Sequence, residues 1–278
     1  MRSRWHTGDP KPGARTIIGV VTVRGADLAV SDDGTGPAVL YGHGLTSSRE
    51  QDGRSGMFDW KRVAESRRVV RWDARGHGES GGAPDPDTYR WDNLAVDLLA
   101  LADELGIERF TAGGVSMGSA TALHAAALAP ERVTALVLVL APTAYETRPA
   151  QADLYRAGAD LVDEQGLDAY VEAARAAPVP EILRAFAELY HQPPAVAEHL
   201  LASVLRGAAA SDLPEPDAVR TITAPTLLLA WETDPGHPVS TSERLAELLP
   251  DAELHVAGKL RELTSWTDTL EAFLDARS

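Results

Sequence analysis

The residue grouping with the clearest chemical reading is Gly114-Val115-Ser116-Met117-Gly118. This G-x-S-x-G follows an apolar run, Phe110–Val115, and precedes a helical pattern, Ser119–Ala129. In that context the chain turns sharply from strand to helix, and Ser116 at the apex holds its hydroxyl out of the sheet. Glycines on either side carry no Cβ, so neighbouring backbone can approach closely. The start of the helix favours negative charge developing beside it. The chemistry implied is nucleophilic attack by Ser116. The plainer alternative is a small-residue turn with no reaction.

A serine attacking a carbonyl needs two N–H donors aimed at the oxyanion that forms. The residue after the nucleophile, Met117, offers one. Gly42-His43-Gly44-Leu45, which ends the apolar run Pro37–Tyr41, offers the other through Leu45. His43 reads as a structural residue tying that loop to nearby backbone. Asp73-Ala74-Arg75-Gly76-His77-Gly78-Glu79-Ser80 follows another apolar run, Arg68–Trp72. It reads as a rigid loop in which Asp73 pairs with Arg75 and the glycines permit a tight turn.

With these segments in hand, the chain resembles the α/β-hydrolase fold family, in its esterase, lactonase and haloperoxidase-like branch. The resemblance rests on Gly42–Leu45, Asp73–Ser80, Gly114–Gly118 and Trp231–Pro238, in order, and extends from about Val23 to the C-terminus. It implies an acid after the seventh strand, where members usually carry Gly-x-x-Asp-x-x-x-Pro. Here Trp231 stands in place of the glycine, while Asp234 and Pro238 keep the spacing. Glu146, shortly after the sixth strand, is the reserve acid, because some members place it there.

The general base departs from the family pattern. Members place Gly-His after the last strand, but this chain reads Gly258-Lys259-Leu260 and has no later histidine. His255 alternates with Leu254 and Val256 inside the expected strand, far from Ser116. His237, in Asp234-Pro235-Gly236-His237-Pro238, lies in a loop that borders the catalytic cleft in this fold. It is the expected relocated base, with Asp234 or, failing that, Glu146 behind it. Its alternative is a solvent-facing loop side chain. His124 reads as a hydrogen-bonded core residue, and His191 and His199 take no role.

A serine at the elbow disfavours the haloalkane and epoxide chemistry that this fold performs with a carboxylate nucleophile. Acyl transfer remains, on ester, thioester, lactone or amide substrates. The leading expectation is a serine hydrolase acting on a small carboxylic ester or lactone. Two others stand beside it: a catalytically degenerate ligand-binding or regulatory protein, and a non-hydrolytic lyase or cyclase. Trp60, Trp72, Trp91 and Trp231 are candidates for apolar pocket walls or for core, and Tyr145, Tyr155, Tyr170 and Tyr190 for the acyl chamber.

The elements that must position these residues alternate along the chain. Eight strands are expected: Thr16–Arg24, Ala26–Ser31, Pro37–Tyr41, Arg68–Trp72, Phe110–Val115, Val133–Leu140, Thr226–Ala230 and Ala252–Val256. With the helical patterns between them they imply a doubly wound, mostly parallel α/β sheet, with ligands at the strand carboxyl ends. Residues 143–216 hold no convincing strand. Ala152–Val162, Leu167–Ala177, Ile182–Tyr190 and Val196–Ala209 read as a helical cap, leaving 1–142 and 217–278 as the core. The last helices are expected at Thr241–Leu249, behind a Ser/Thr cap, and at about Leu263–Ala276.

Composition narrows the function classes. With 26 Lys+Arg against 41 Asp+Glu, the formal net charge of −15 argues against a nucleic-acid partner. The absence of cysteine excludes thiol catalysis, Cys-ligated metal and disulfides. The eight histidines show no metal-like spacing, so neither metal nor cofactor is expected. No apolar stretch approaches the ~20 residues of a membrane span, and Met1–Arg15 lacks the apolar core of a signal peptide. These features suggest a cytoplasmic protein without a membrane partner, a monomer or small homo-oligomer.

Overall fold

The computed structural model describes residues 4–6, 17–177, 179–186 and 192–277. The strands are β1 (Arg4–His6), β2 (Ile17–Val23), β3 (Ala26–Asp33), β4 (Ala38–Gly42), β5 (Arg68–Trp72), β6 (Phe110–Val115), β7 (Val133–Val139), β8 (Thr226–Trp231) and β9 (Ala252–Ala257). They form one sheet in the order β1-β2-β3-β5-β4-β6-β7-β8-β9. The eight expected strands are all present. A short ninth, β1, is added to the free edge of β2, pairing Arg4 with Val20 and His6 with Ile18. Three residues carry too little alternation to announce a strand; the open edge supplies the partner.

Pairing is antiparallel from β1 to β5 and parallel from β5 through β9. Strand order reverses at β4, which lies between β5 and β6. Gly42, the last residue of β4, is in register with Gly114 of β6. The loops leaving these two strands therefore part at a topological switch point, where ligands bind in such sheets.

Each strand residue faces one layer or the other. Leu40, Leu136, Leu138 and Leu228 pack with Leu98 and Leu123 on one side. Val39, Val137, Val139, Leu227 and Leu229 pack with Trp266 and Phe273 on the other. Both sets are buried, so the period of two inside near-continuous apolar runs serves two cores.

The helices are α1 (Arg49–Arg54), α2 (Trp60–Val63), α3 (Trp91–Glu104), α4 (Met117–Leu128), α5 (Arg148–Ala176), α6 (Glu198–Ala209), α7 (Pro216–Arg220), α8 (Val239–Leu248), α9 (Leu260–Leu263) and α10 (Trp266–Asp275). Sequence patterning misses α1 and α2, each barely a turn or two, although Ser48 and Asp59 cap them through their side chains. Between β7 and β8 the described residues hold helices, 3-10 turns and irregular segments but no strand, with one isolated antiparallel bridge from Val196 to His77. α5 is interrupted at Gly166, whose φ of +83° ends one helical stretch. The Glu198 carboxylate then accepts the Leu167 N–H at 3.0 Å. Within the expected helix Ile182–Tyr190 the described residues form a 3-10 turn, Glu181–Phe186, and residues 187–191, with Tyr190 and His191, lie outside the described residues. α8 starts earlier than expected, at Val239 behind Pro238, which is extended (φ −65°, ψ 136°) and gives no side-chain cap, so Ser240 and Thr241 lie inside the first turn.

The loop after β5 is held by side-chain contacts, but Asp73 and Arg75 do not pair with each other. Asp73 accepts the backbone N–H groups of Arg49 (2.7 Å) and Glu79 (3.0 Å), together with the Arg49 guanidinium. Arg75 reaches α3 and makes a two-pronged contact with Asp97, 2.9 Å at each oxygen. Each side chain is instead taken up by groups distant in the chain, Asp73 by Arg49 and Glu79 and Arg75 by Asp97. Removing one member of a buried ion pair strands the other. Asp97→Ala is therefore expected to lower unfolding free energy by about 3–5 kcal/mol, read from the denaturant midpoint; a change under about 1 kcal/mol, the worth of a surface pair, would contradict this.

Candidate active site

Ser116 occupies the single residue between β6 and α4, with φ +54° and ψ −111°. A non-glycine residue at such angles is strained and persists only where its surroundings hold it. Its N–H donates to the Val139 carbonyl at 2.9 Å. A Cβ on Gly114 would lie 2.5 Å from the Gly118 carbonyl carbon, and a Cβ on Gly118 would strike the Gly42 carbonyl. Only glycine permits this approach of three backbone segments. The same packing brings the β4 loop beside the serine, since a Cβ on Gly44 would sit 3.7 Å from that of Ser116. Neither the Leu45 nor the Met117 N–H has a protein acceptor among the described residues. Met117 is also the first residue of α4, where the helix dipole is positive.

The β8 loop approaches from the neighbouring side. His237 Nε2 lies 2.8 Å from Ser116 Oγ, and His237 Nδ1 lies 2.9 Å from Asp234 Oδ2. A turn makes this possible: the His237 N–H donates to the Asp234 carbonyl at 3.2 Å, bringing the two side chains together. Thr143, after β7, donates its N–H to the Gly236 carbonyl at 3.3 Å and ties the turn down. Asp234 is buried, which alone would raise its pKa. The hydrogen bond from His237, the Trp231 indole N–H (2.9 Å to Oδ2) and the Gly236 N–H (3.0 Å to Oδ1) outweigh burial and hold it at about 2. An ionised carboxylate only accepts, so Nδ1 carries the imidazole proton. Nε2 is then the acceptor facing the serine hydroxyl.

The other candidates stand apart. Glu146 is exposed in a short 3-10 turn; the carboxylate that meets His237 is that of Asp234. His43 is 2% exposed. It accepts the Ala74 N–H at Nε2 (2.9 Å) and donates from Nδ1 to the Gly44 carbonyl (2.8 Å), the structural role expected of it. His124 bonds the Asp212 carbonyl at 2.9 Å, and His255 sits on β9 beside Glu253. His199 is exposed on α6. Trp60, Trp72, Trp91 and Trp231 are all buried. The contact of Trp231 with Asp234 was not foreseen; the signal was a tryptophan where the family pattern has glycine, three residues before the acid. Among the described residues no three His, Asp or Glu side chains converge as a metal site requires, and no helix is long and apolar enough to cross a membrane.

His43 and His77 are buried neutral beneath the site. Burial pushes His43 down to about 4 and His77, which also faces His43, to about 3. Below pH 6.5 the unfolded chain takes up protons at both positions while the folded chain does not. Stability is therefore expected to fall by about 1–2 kcal/mol per pH unit from pH 6.5 toward 4. Urea unfolding across that range should show the slope in the wild type and a shallower one in His77→Gln; equal slopes would contradict the assignment.

Comparison with known proteins places this geometry. The family model described as alpha/beta hydrolase fold matches residues 37–268. 3-Oxoadipate enol-lactonase 2 of Acinetobacter baylyi is 33% identical over 197 residues, 68% of this chain and 69% of that protein. 2-(Acetamidomethylene)succinate hydrolase of Mesorhizobium japonicum is 28% identical over 85% of this chain and 84% of that protein. Some other curated relatives are matched over less than half of their own length, 40% in one case. The crystal structure of the enol-lactonase from Burkholderia xenovorans superposes with a TM-score of 0.77 at 22% identity, covering 92% of this chain and 99% of that one. With the sheet, the elbow and the family match in agreement, the chain belongs to the alpha/beta hydrolase fold family.

Proposed function

We propose that the protein is a serine hydrolase that cleaves a small carboxylic ester or lactone through an acyl-enzyme on Ser116. The observation that carries this reading is the continuous chain from Asp234 through His237 to Ser116, with contacts of 2.9 and 2.8 Å. His237 is the general base and Asp234 the acid that orients it. The lactonase and hydrolase among the relatives, both named for small molecules, support the substrate class.

In the first half-reaction Nε2 removes the Ser116 proton as Oγ attacks the carbonyl carbon. The resulting oxyanion accepts the Leu45 and Met117 N–H groups; each such donor contributes about 3 kcal/mol in comparable sites. Ionised Asp234 stabilises the imidazolium without taking its proton. The imidazolium then protonates the departing alkoxide, leaving Ser116 acylated. A lactone keeps its leaving oxygen on the acyl group. In the second half-reaction water loses a proton to Nε2, attacks the acyl carbon and releases the acid, and Ser116 regains its proton. Residues 143–216 are read as the cap over this chemistry. Ala195 supports that reading, donating its N–H to the Thr46 carbonyl and accepting the Gly78 N–H, both at 2.7 Å.

A fluorophosphonate probe and a panel of p-nitrophenyl esters and lactones test the proposal. Ser116 is expected to be labelled in the wild type and Ser116→Ala to be unlabelled. His237→Ala and Asp234→Asn should each lower kcat by about a thousandfold or more. Labelling that survives His237→Ala would remove the histidine from its role. Turnover that survives Ser116→Ala would replace acyl transfer with an elimination or cyclisation. A wild type neither labelled nor active on the panel would leave a ligand-binding protein.

A further inference from the structure

The acid and base of this site come from one turn, three residues apart, rather than from two separately anchored loops. Such a turn brings the side chains close but does not by itself select the rotamer of the carboxylate. The structure must hold that carboxylate from another direction. Gly236 N–H takes Oδ1 at 3.0 Å, and the Trp231 indole N–H takes Oδ2 at 2.9 Å, the oxygen that also meets His237 Nδ1.

Trp231 is built to do this. It is the last residue of β8, 6% exposed, and paired in register with Ala257 of β9. Its ring lies nearly parallel to that of Trp266 in α10, at 13° and a centroid distance of 6.2 Å. Trp266 in turn meets Phe58, at 6.4 Å. The indole thus lies between the end of β8 and an aromatic tier, with its N–H on the Asp234 carboxylate. Burial alone does not force such a contact, since the buried Trp91 indole nitrogen has no hydrogen-bond partner among the described residues. The glycine usual at this position could not donate a side-chain hydrogen bond at all.

Building on the hydrolytic reading above, we infer that Trp231 is a positioning residue: its indole N–H locks the Asp234 carboxylate in the orientation that aims His237 at Ser116. It touches no reacting atom and acts through Asp234. A preorganised pair loses rate steeply when its geometry loosens.

Two variants separate this role from simple packing. Trp231→Phe keeps an aromatic ring against Trp266 but has no N–H; Trp266→Phe disturbs the stack and leaves the indole donor in place. With active sites counted by fluorophosphonate labelling, Trp231→Phe should lose about tenfold to a hundredfold in kcat with KM within about twofold. Trp266→Phe should keep kcat within about twofold. In proton NMR the downfield His237 Nδ1–H resonance should persist in Trp266→Phe and vanish or move upfield in Trp231→Phe. Should Trp231→Phe not fold, Asp234→Asn serves instead, and it should shift the Trp231 indole proton of the otherwise intact chain. Unchanged kcat in Trp231→Phe, equal losses in both variants, or an indole proton indifferent to Asp234→Asn would overturn the assignment. A wild type without labelling or turnover would instead overturn the hydrolytic reading, and the positioning role with it.

Discussion

Three backbone segments crowd together beneath Ser116, and the rest of the site depends on that contact. The carbonyl of Gly42 and the backbones of Gly114 and Gly118 approach so closely that a methyl group at either of the latter two has no room. The approach follows from the parallel register of β4 and β6, which ends both strands at the same level. It forces the chain to leave β6 through one strained residue and enter α4 at once. The serine hydroxyl, the Met117 amide and the β4 loop carrying Leu45 are thereby brought to one point. No flexible side chain has to be recruited to assemble them.

The second half of the site is assembled by different means. A turn after β8 brings Asp234 and His237 together locally, and Thr143 fastens that turn to the segment following β7. Burial opposes the charge on Asp234, but three donors converge on its two oxygens and keep it ionised. An ionised acid sets the tautomer of the histidine, and the tautomer decides which nitrogen meets the serine. The order of causes runs from donor count, to charge, to proton position. The loop after β9, where the family places its histidine, ends here in Gly258 and Lys259, whose N–H groups are capped by Glu262. It serves to start α9.

Beneath both halves lies a layer of buried polar groups with no part in the proposed reaction. Asp73 gathers the N-terminus of α1 and the Glu79 amide, Arg75 clamps Asp97, and His43 bridges the β4 and β5 loops. These contacts hold the loops at the strand ends, where backbone donors have few carbonyl partners of their own. The histidines there stay uncharged because burial removes the water that an imidazolium requires. Chemistry-bearing residue types at strand ends therefore divide into those brought together at the proposed site and those that hold the surrounding loops in place.

Local sequence settled much whose cause is local, though not the short capped helices α1 and α2. Continuous β-branched and leucine runs specified strands buried on both faces, and the eight expected strands stand where alternation placed them. Gly114, Ser116 and Gly118 announced the elbow, because a strand-to-helix turn of one residue admits few residue types. Asp234 was legible from its spacing to Pro238, and His237 from the lack of another histidine after β9. Tertiary structure decided what depends on partners distant in the chain. It chose Asp97 over Asp73 for Arg75, left Glu146 in solvent, and set the Trp231 indole against Asp234. It also paired Arg4–His6 with an open strand edge. A motif records which backbone shape a residue permits, whereas a hydrogen bond needs a donor and an acceptor aimed at each other. That aim is settled only when the strands, helices and loops have packed.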